Sequence, residues 1–92
     1  METILRIAFN NFREEIIIEN PPYIPMNGEL FNCYWKDFTN DKELLIQLSA
    51  MEEDESWMVN RFSCRYSKEK VECLIILYTT LDYEKYFSQR LL

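Results

Sequence analysis

Two adjacent segments constrain the fold most, because they have the pattern of a β-hairpin. Residues 58–66 alternate between apolar and polar side chains, and residues 71–79 are rich in branched and aromatic ones, with a polar turn between them. Closing this turn gives one register with an apolar face: Phe62 opposite Ile75, Cys64 opposite Cys73, and Tyr66 opposite Val71. The same register sets Arg65 against Glu72 on the other face. A slip by one residue would lose both features, so the sequence predicts this register.

Two further segments have the periodicity of amphipathic helices. The first covers residues 41–51, where Leu44, Leu48 and Met51 recur at helical spacing. Asn40 is the expected N-cap, and Glu43 stands three residues later, as in a capping box. The second helix begins near Asp82. Its apolar stripe consists of Tyr83, Tyr86, Phe87 and Leu91. We therefore expect one helix before the hairpin and one after it.

The beginning of the chain allows two interpretations. One is a helix whose apolar stripe is Leu5, Ala8, Phe9, Phe12 and Ile16. The other is a hairpin that turns at Asn10 and Asn11. Its register would be Leu5 opposite Ile16 and Arg6 opposite Glu15. We favour the hairpin, because the isoleucine run within Glu15–Glu19 is typical of a strand and no helix stop precedes it.

These elements together predict the fold class. A further strand is expected over residues 30–36. The sum is an α+β domain with a mostly antiparallel sheet of about four to five strands and two helices packed on one face. A chain of 92 residues is expected to form one globular domain over residues 1–92.

The charge balance limits the classes of partner. The chain has 16 acidic and 10 basic residues and no histidine, a formal charge of −6. An acidic surface disfavours nucleic acid and anionic membranes as direct partners, and it favours a basic protein. The absence of histidine removes the commonest general base and metal ligand. We therefore expect a non-enzymatic protein without cofactor or metal.

The cysteines and the apolar runs favour the cytoplasm. Cys33, Cys64 and Cys73 are an odd number and lack zinc-site spacing, so reduced thiols are expected. Cross-strand neighbours can be close enough to form a disulfide, but we favour Cys64 and Cys73 as two small apolar side chains on the buried face of the hairpin. No run is long enough for a membrane span, and the first residues lack the pattern of a signal peptide.

One short motif is shared with a family of enzymes. The segment Ile16–Tyr23 ends in Asn20-Pro-Pro-Tyr23, which resembles the catalytic motif of N6-adenine and glutamine methyltransferases. The resemblance implies that Asn20 and Pro21 would accept hydrogen bonds from a target amino group and that Tyr23 would stack on it. That family also needs a glycine-rich turn on a doubly wound sheet. Because Gly28 is the single glycine, we interpret the motif as a strand that ends in a rigid proline turn.

The acidic run is the main candidate for a binding surface. Its members are Glu52, Glu53, Asp54 and Glu55. Acids at the end of a helix oppose its dipole, so the run is not placed for helix stability. We expect it to contact a basic partner together with Asp41, Glu43 and Trp57. A solvated connection that keeps the protein soluble remains an alternative. A hot spot of aromatic residues is another, formed by Phe31, Tyr34, Trp35, Phe38 and Trp57.

Size, charge and lack of catalytic residues favour an inhibitory binding protein. Phage anti-defence proteins, including anti-CRISPR proteins, are of this kind, and so are bacterial immunity proteins and antitoxins. The predicted partner is a basic nuclease or another nucleic-acid-binding protein, whose basic surface the acidic run would block. A self-assembling module is the alternative from another class. It requires residues 71–79 to lie at a sheet edge, where two copies could pair as a homodimer.

Overall fold

The structure is a computed structural model that describes residues 2–50 and 56–87, and within them it is an α+β fold. In chain order, the elements are β1 (Glu2–Phe9), β2 (Ile16–Glu19), β3 (Leu30–Phe31), a 3-10 turn (Trp35–Asp37), α1 (Lys42–Ser49), β4 (Trp57–Tyr66), β5 (Lys70–Thr79) and α2 (Thr80–Phe87). The strands form one sheet in the order β2-β1-β5-β4-β3, and every pair is antiparallel except β1 with β5. The predicted class and the five-stranded, mostly antiparallel sheet are confirmed.

The β4–β5 hairpin has the predicted register next to its turn and a different one beyond it. Arg65 lies opposite Glu72, as expected, but a β-bulge at Phe62 shifts the pairing so that Arg61 lies opposite Ile75. Phe62 is consequently 65% exposed, whereas Val59 is fully buried. The prediction that Phe62 faces Ile75 is therefore wrong, because one extra residue in β4 moves the preceding positions to the other face.

Cys64 and Cys73 lie directly opposite each other, as the predicted register requires, and they are joined by a disulfide. Their Cα atoms are 4.1 Å apart. The expectation of two reduced thiols does not describe this structure, in which cross-strand proximity allows the bond. Cys33 is the free cysteine.

The beginning of the chain is a hairpin, which confirms the favoured alternative, but its register differs by two residues. Leu5 pairs with Ile18 rather than with Ile16. The predicted turn is too tight because Phe12 folds inward and stacks on Phe9, with ring centroids 4.5 Å apart. A shift by two preserves the two faces of the hairpin, so Leu5 remains in the core.

The connectivity places β5 in the middle of the sheet, between β1 and β4. A strand with a partner on each side has no free hydrogen-bonding edge. The hypothesis that residues 71–79 pair with a second copy is therefore wrong in its premise. The strand predicted over residues 30–36 is also shorter than expected, because the chain leaves β3 after Phe31 and forms the 3-10 turn.

The two helices lie against opposite faces of the sheet. Leu44 and Leu48 of α1 join the cluster of buried side chains that includes Leu77. Phe87 of α2 instead packs on the ring of Tyr78, at 5.2 Å between centroids, and Tyr78 points away from Leu77 because strand side chains alternate. The prediction that both helices pack on one face is not confirmed.

The start of α1 is one residue later than predicted. Asp41 rather than Asn40 is the N-cap, and its carboxylate accepts hydrogen bonds from the amides of Glu43 and Leu44 at 3.1 and 3.2 Å. Met51 and Leu91, which were assigned to the helical stripes, lie outside the described residues. None of the described helices has the length and apolar character that a membrane crossing requires.

Candidate protein-binding surface

The structure describes part of the predicted acidic surface. Glu52, Glu53, Asp54 and Glu55 lie outside the described residues. Asp41 and Glu43 are exposed at the start of α1. Neither forms an ion pair with another described residue, although Asp41 is engaged as the N-cap. Their exposed negative charge remains available to a partner.

Trp57 is not part of an exposed surface. Its side chain is 5% exposed and belongs to the core, where it packs on Phe9 and Phe12 with ring centroids 5.3 and 6.1 Å apart. It is the first residue of β4 and faces the core, because the bulge at Phe62 determines which of the preceding side chains lie on the buried face. The assignment of Trp57 to the partner-binding surface is therefore wrong.

The aromatic residues around the 3-10 turn separate into two groups. Phe31 and Trp35 pack on each other at 5.9 Å between centroids, and Trp35 also contacts Phe9 of the core. Tyr34 and Phe38 point outward and are 85% and 43% exposed. Of the aromatic residues expected to form a hot spot, these two are available to a partner.

Tyr34 and Phe38 line one side of a groove of about 310 Å³, which we call the aromatic groove. The proline segment, residues 20–29, also lines this groove, through Pro21, Pro22 and Tyr23. Asp37 also lines the groove, and among residues 2–50 and 56–87 no lysine or arginine lines it. The groove thus combines exposed aromatic rings with one carboxylate.

The proline segment is held in place by hydrogen bonds at several points. The guanidinium of Arg61 donates to the carbonyl oxygens of Ile24 and Pro25 at 3.2 and 3.1 Å. The backbone amide of Thr3 donates to Oδ1 of Asn20 at 3.0 Å. Gly28, at a φ of 80°, turns the chain so that its amide can donate to the carbonyl of Val59. One side of the groove is therefore preorganised.

Carboxylates raise the pKa of two groups that line the groove. The hydroxyl of Tyr23 donates to Glu29 at 3.2 Å, and the negative charge of Glu29 raises the pKa of this phenol. Burial raises the pKa of the Cys33 thiol, and the charge of Asp37 raises it further. A carboxylate thus contributes to the raised pKa of both groups, and Cys33 remains a protonated thiol at neutral pH.

The geometry gives no support to the methyltransferase resemblance. The side-chain oxygen of Asn20 already accepts a hydrogen bond from the amide of Thr3, and the hydroxyl of Tyr23 already donates one to Glu29. The sheet is not doubly wound, and it offers no glycine-rich turn in its described part. Residues 2–50 and 56–87 also contain no group of three or more cysteine, aspartate or glutamate side chains arranged to hold a metal.

Asp37 and Tyr23 are members of the candidate surface that no sequence pattern predicted. The two residues are separated by a loop, β3 and the 3-10 turn, and only tertiary packing brings them to one groove. The prolines near Tyr23 indicated a rigid surface segment, but no pattern in the sequence around Asp37 indicated that it lines the same groove.

No protein-family model matches the chain, and no curated protein or solved structure is significantly similar to it.

Proposed function

We propose that this chain is a small, non-enzymatic inhibitor that binds a basic, nucleic-acid-binding surface of another protein, in the manner of phage anti-defence proteins such as anti-CRISPR proteins. The observation that carries the proposal is the aromatic groove, in which the exposed rings of Tyr34 and Phe38 flank the carboxylate of Asp37 and no cation of the described residues contributes to the lining. Interface hot spots combine such aromatic anchors with charge complementarity.

The distribution of charge supports the same proposal. Residues 1–57 contain 12 acidic and 4 basic side chains, a net charge of −8, whereas residues 58–92 have a net charge of +2. The groove and the start of α1 belong to the acidic part. Lys36 and Lys42 lie in the same stretch, but neither is within ion-pair distance of Asp37, Asp41 or Glu43. The acidic part would orient the molecule toward a basic partner.

The mechanism is competition for the partner's cationic side chains. Carboxylates at residues 37–55 would occupy the lysines and arginines that otherwise contact phosphate, and long-range attraction would raise the association rate. The aromatic residues would become buried and slow the dissociation. Glu52, Glu53, Asp54 and Glu55 are part of this proposed surface, and the cytoplasm is its proposed location.

The test is a capture experiment at physiological salt, in which three forms of the protein serve as bait. The first is unmodified, and the second carries Asp37→Asn, Asp41→Asn and Glu43→Gln. Asparagine is also a good N-cap, so the second form should keep α1. The third is a control with the same net charge, in which three exposed glutamates elsewhere are neutralised. Its substitutions are Glu2→Gln, Glu69→Gln and Glu84→Gln.

We expect the unmodified and control forms to capture the same basic protein and the second form to capture much less of it. The captured protein, once purified, should lose binding to nucleic acid when the unmodified chain is added. Equal capture by all three forms would contradict the proposed surface. A captured protein that still binds nucleic acid would contradict inhibition. A toxin as the captured protein would favour an immunity protein or antitoxin.

A further inference from the structure

The shape and chemistry of the aromatic groove indicate what part of a partner it could receive. Tyr34 is 85% exposed and Tyr23 is 62% exposed, although other rings of the chain pack against one another. Large exposed rings on both sides of a concave surface are typical of sites that bind extended peptide segments. The hydrogen bonds that fix the proline segment reduce the ordering that such binding would require.

The backbone around the groove favours an occupant that needs no backbone pairing. Pro21 and Pro22 have no amide proton, so this side of the groove offers few donors to a β-strand. A polyproline II segment has a solvated backbone and is recognised mainly by packing of its side chains on aromatic rings. The groove is therefore better suited to a polyproline II segment than to strand addition.

The charge in the groove favours a cation on that segment. Asp37 forms no ion pair with any described residue, and within the part of the chain that the structure describes no lysine or arginine lines the groove to neutralise it. An arginine fits these surroundings better than a lysine does. Its planar guanidinium can stack on a tyrosine ring and at the same time donate two hydrogen bonds to a carboxylate.

We propose that the aromatic groove binds a polyproline II segment of the partner that carries an arginine, with the guanidinium placed between Tyr34 and Asp37. This inference rests on the proposed function only for the basic character of the partner. It adds that one defined segment of the partner, rather than a diffuse basic surface, binds in this groove.

The test is a titration of the isotopically labelled protein followed by amide signals in NMR. The probe is the peptide Ala-Pro-Pro-Arg-Pro-Pro-Ala, and the matched control peptide contains neutral citrulline in place of arginine. We expect the arginine peptide to bind with a Kd near or below about 1 mM, as is usual for a short peptide with a few contacts. The largest shifts should occur at the amides of Tyr23, Cys33 and Asp37.

Two substitutions locate the site, and each has a control of similar exposure elsewhere. Asp37→Asn and Tyr34→Ala should each weaken binding about tenfold, because each removes one of the two groups assigned to the guanidinium. Glu84→Gln on α2 and Tyr66→Ala on β4 should leave binding unchanged. Tyr66 is 75% exposed and does not line the groove.

The inference would be overturned if millimolar peptide caused no shifts, or if the shifts were centred outside the groove. Equal binding of the citrulline peptide would also overturn it. These outcomes are distinct from a failure of the proposed function. If the peptide binds in the groove but the chain inhibits no nucleic-acid-binding protein, the peptide site stands and the inhibitor proposal fails. If the chain inhibits a nucleic-acid-binding protein but does not bind the peptide, the inhibitor proposal stands and the peptide site fails.

Discussion

At the scale of single residues, the start of α1 depends on the side chain of Asp41. Its carboxylate satisfies two amides that no turn of helix can satisfy, and its charge interacts favourably with the helix dipole. Asn40 is exposed and precedes the cap. We expect Asp41→Ala to lower the free energy of unfolding by about 1 kcal/mol, measured by urea denaturation. Asn40→Ala is the control, and an equal loss there would show that the cap is wrongly assigned.

The thiol of Cys33 should titrate above the range of an ordinary cysteine. Burial is the larger cause of its raised pKa and Asp37 is the smaller one. At a given pH below the pKa, a raised value means less thiolate, so alkylation by iodoacetamide should be slow near neutral pH and rise at higher pH. Asp37→Asn should move the midpoint of the rate profile downward but not to the value of a free thiol.

This alkylation also reports on the disulfide. In the oxidised protein, one thiol per chain should react, and reduction should release two more from Cys64 and Cys73. A profile that is unchanged by Asp37→Asn would show that the carboxylate does not influence the groove. Three reactive thiols before reduction would show that the cross-strand bond is absent in solution.

At the scale of elements, the bulge in β4 decides which side chains the hairpin buries. Val59 is fully buried, whereas Phe62 is 65% exposed. We expect Val59→Ala to destabilise the fold by about 2 kcal/mol or more and Phe62→Ala to change stability by less than about 0.5 kcal/mol. Urea denaturation measures both. The opposite ranking would restore the uninterrupted register, in which Phe62 belongs to the core.

The hairpin also shows how far local sequence patterns reach. The turn, the pair Arg65 and Glu72, and the neighbouring cysteines were predictable because they depend on residues close in sequence. The bulge was missed, although a signal for it existed. Trp57 and Val59 are more apolar than Met58 and Asn60, so the apolar phase before Phe62 is opposite to the phase after it. A change of phase within a strand indicates an extra residue.

The order of the strands in the sheet depended on contacts that no local pattern encodes. The parallel pairing of β1 with β5 joins the two ends of the described chain, and it determines that β5 is central. The aromatic groove is non-local in the same way, since its two sides belong to separate segments. Composition predicted an acidic binding protein, but it did not predict where its aromatic residues meet.

At the scale of the whole molecule, the central position of β5 and the charge of the chain oppose self-association. β5 has no free edge, and the outer edge of β4 beyond the bulge bears exposed Arg65. A net charge of −6 adds repulsion between copies. We expect sedimentation to give the mass of a monomer, 11.3 kDa, up to millimolar concentration at physiological salt. A dimer that persists on dilution would contradict this.

The central position of β5 also has a consequence for the order of folding. β4 and β5 meet across a short turn, but Glu2 pairs with Lys70, 68 positions further along the chain. Closing such a long loop is slow compared with forming a hairpin, so β1 should dock after β4 and β5 have met. During synthesis, Leu5, Ile7 and Phe9 must therefore lack their neighbours on β5 until the last strand of the sheet has been made.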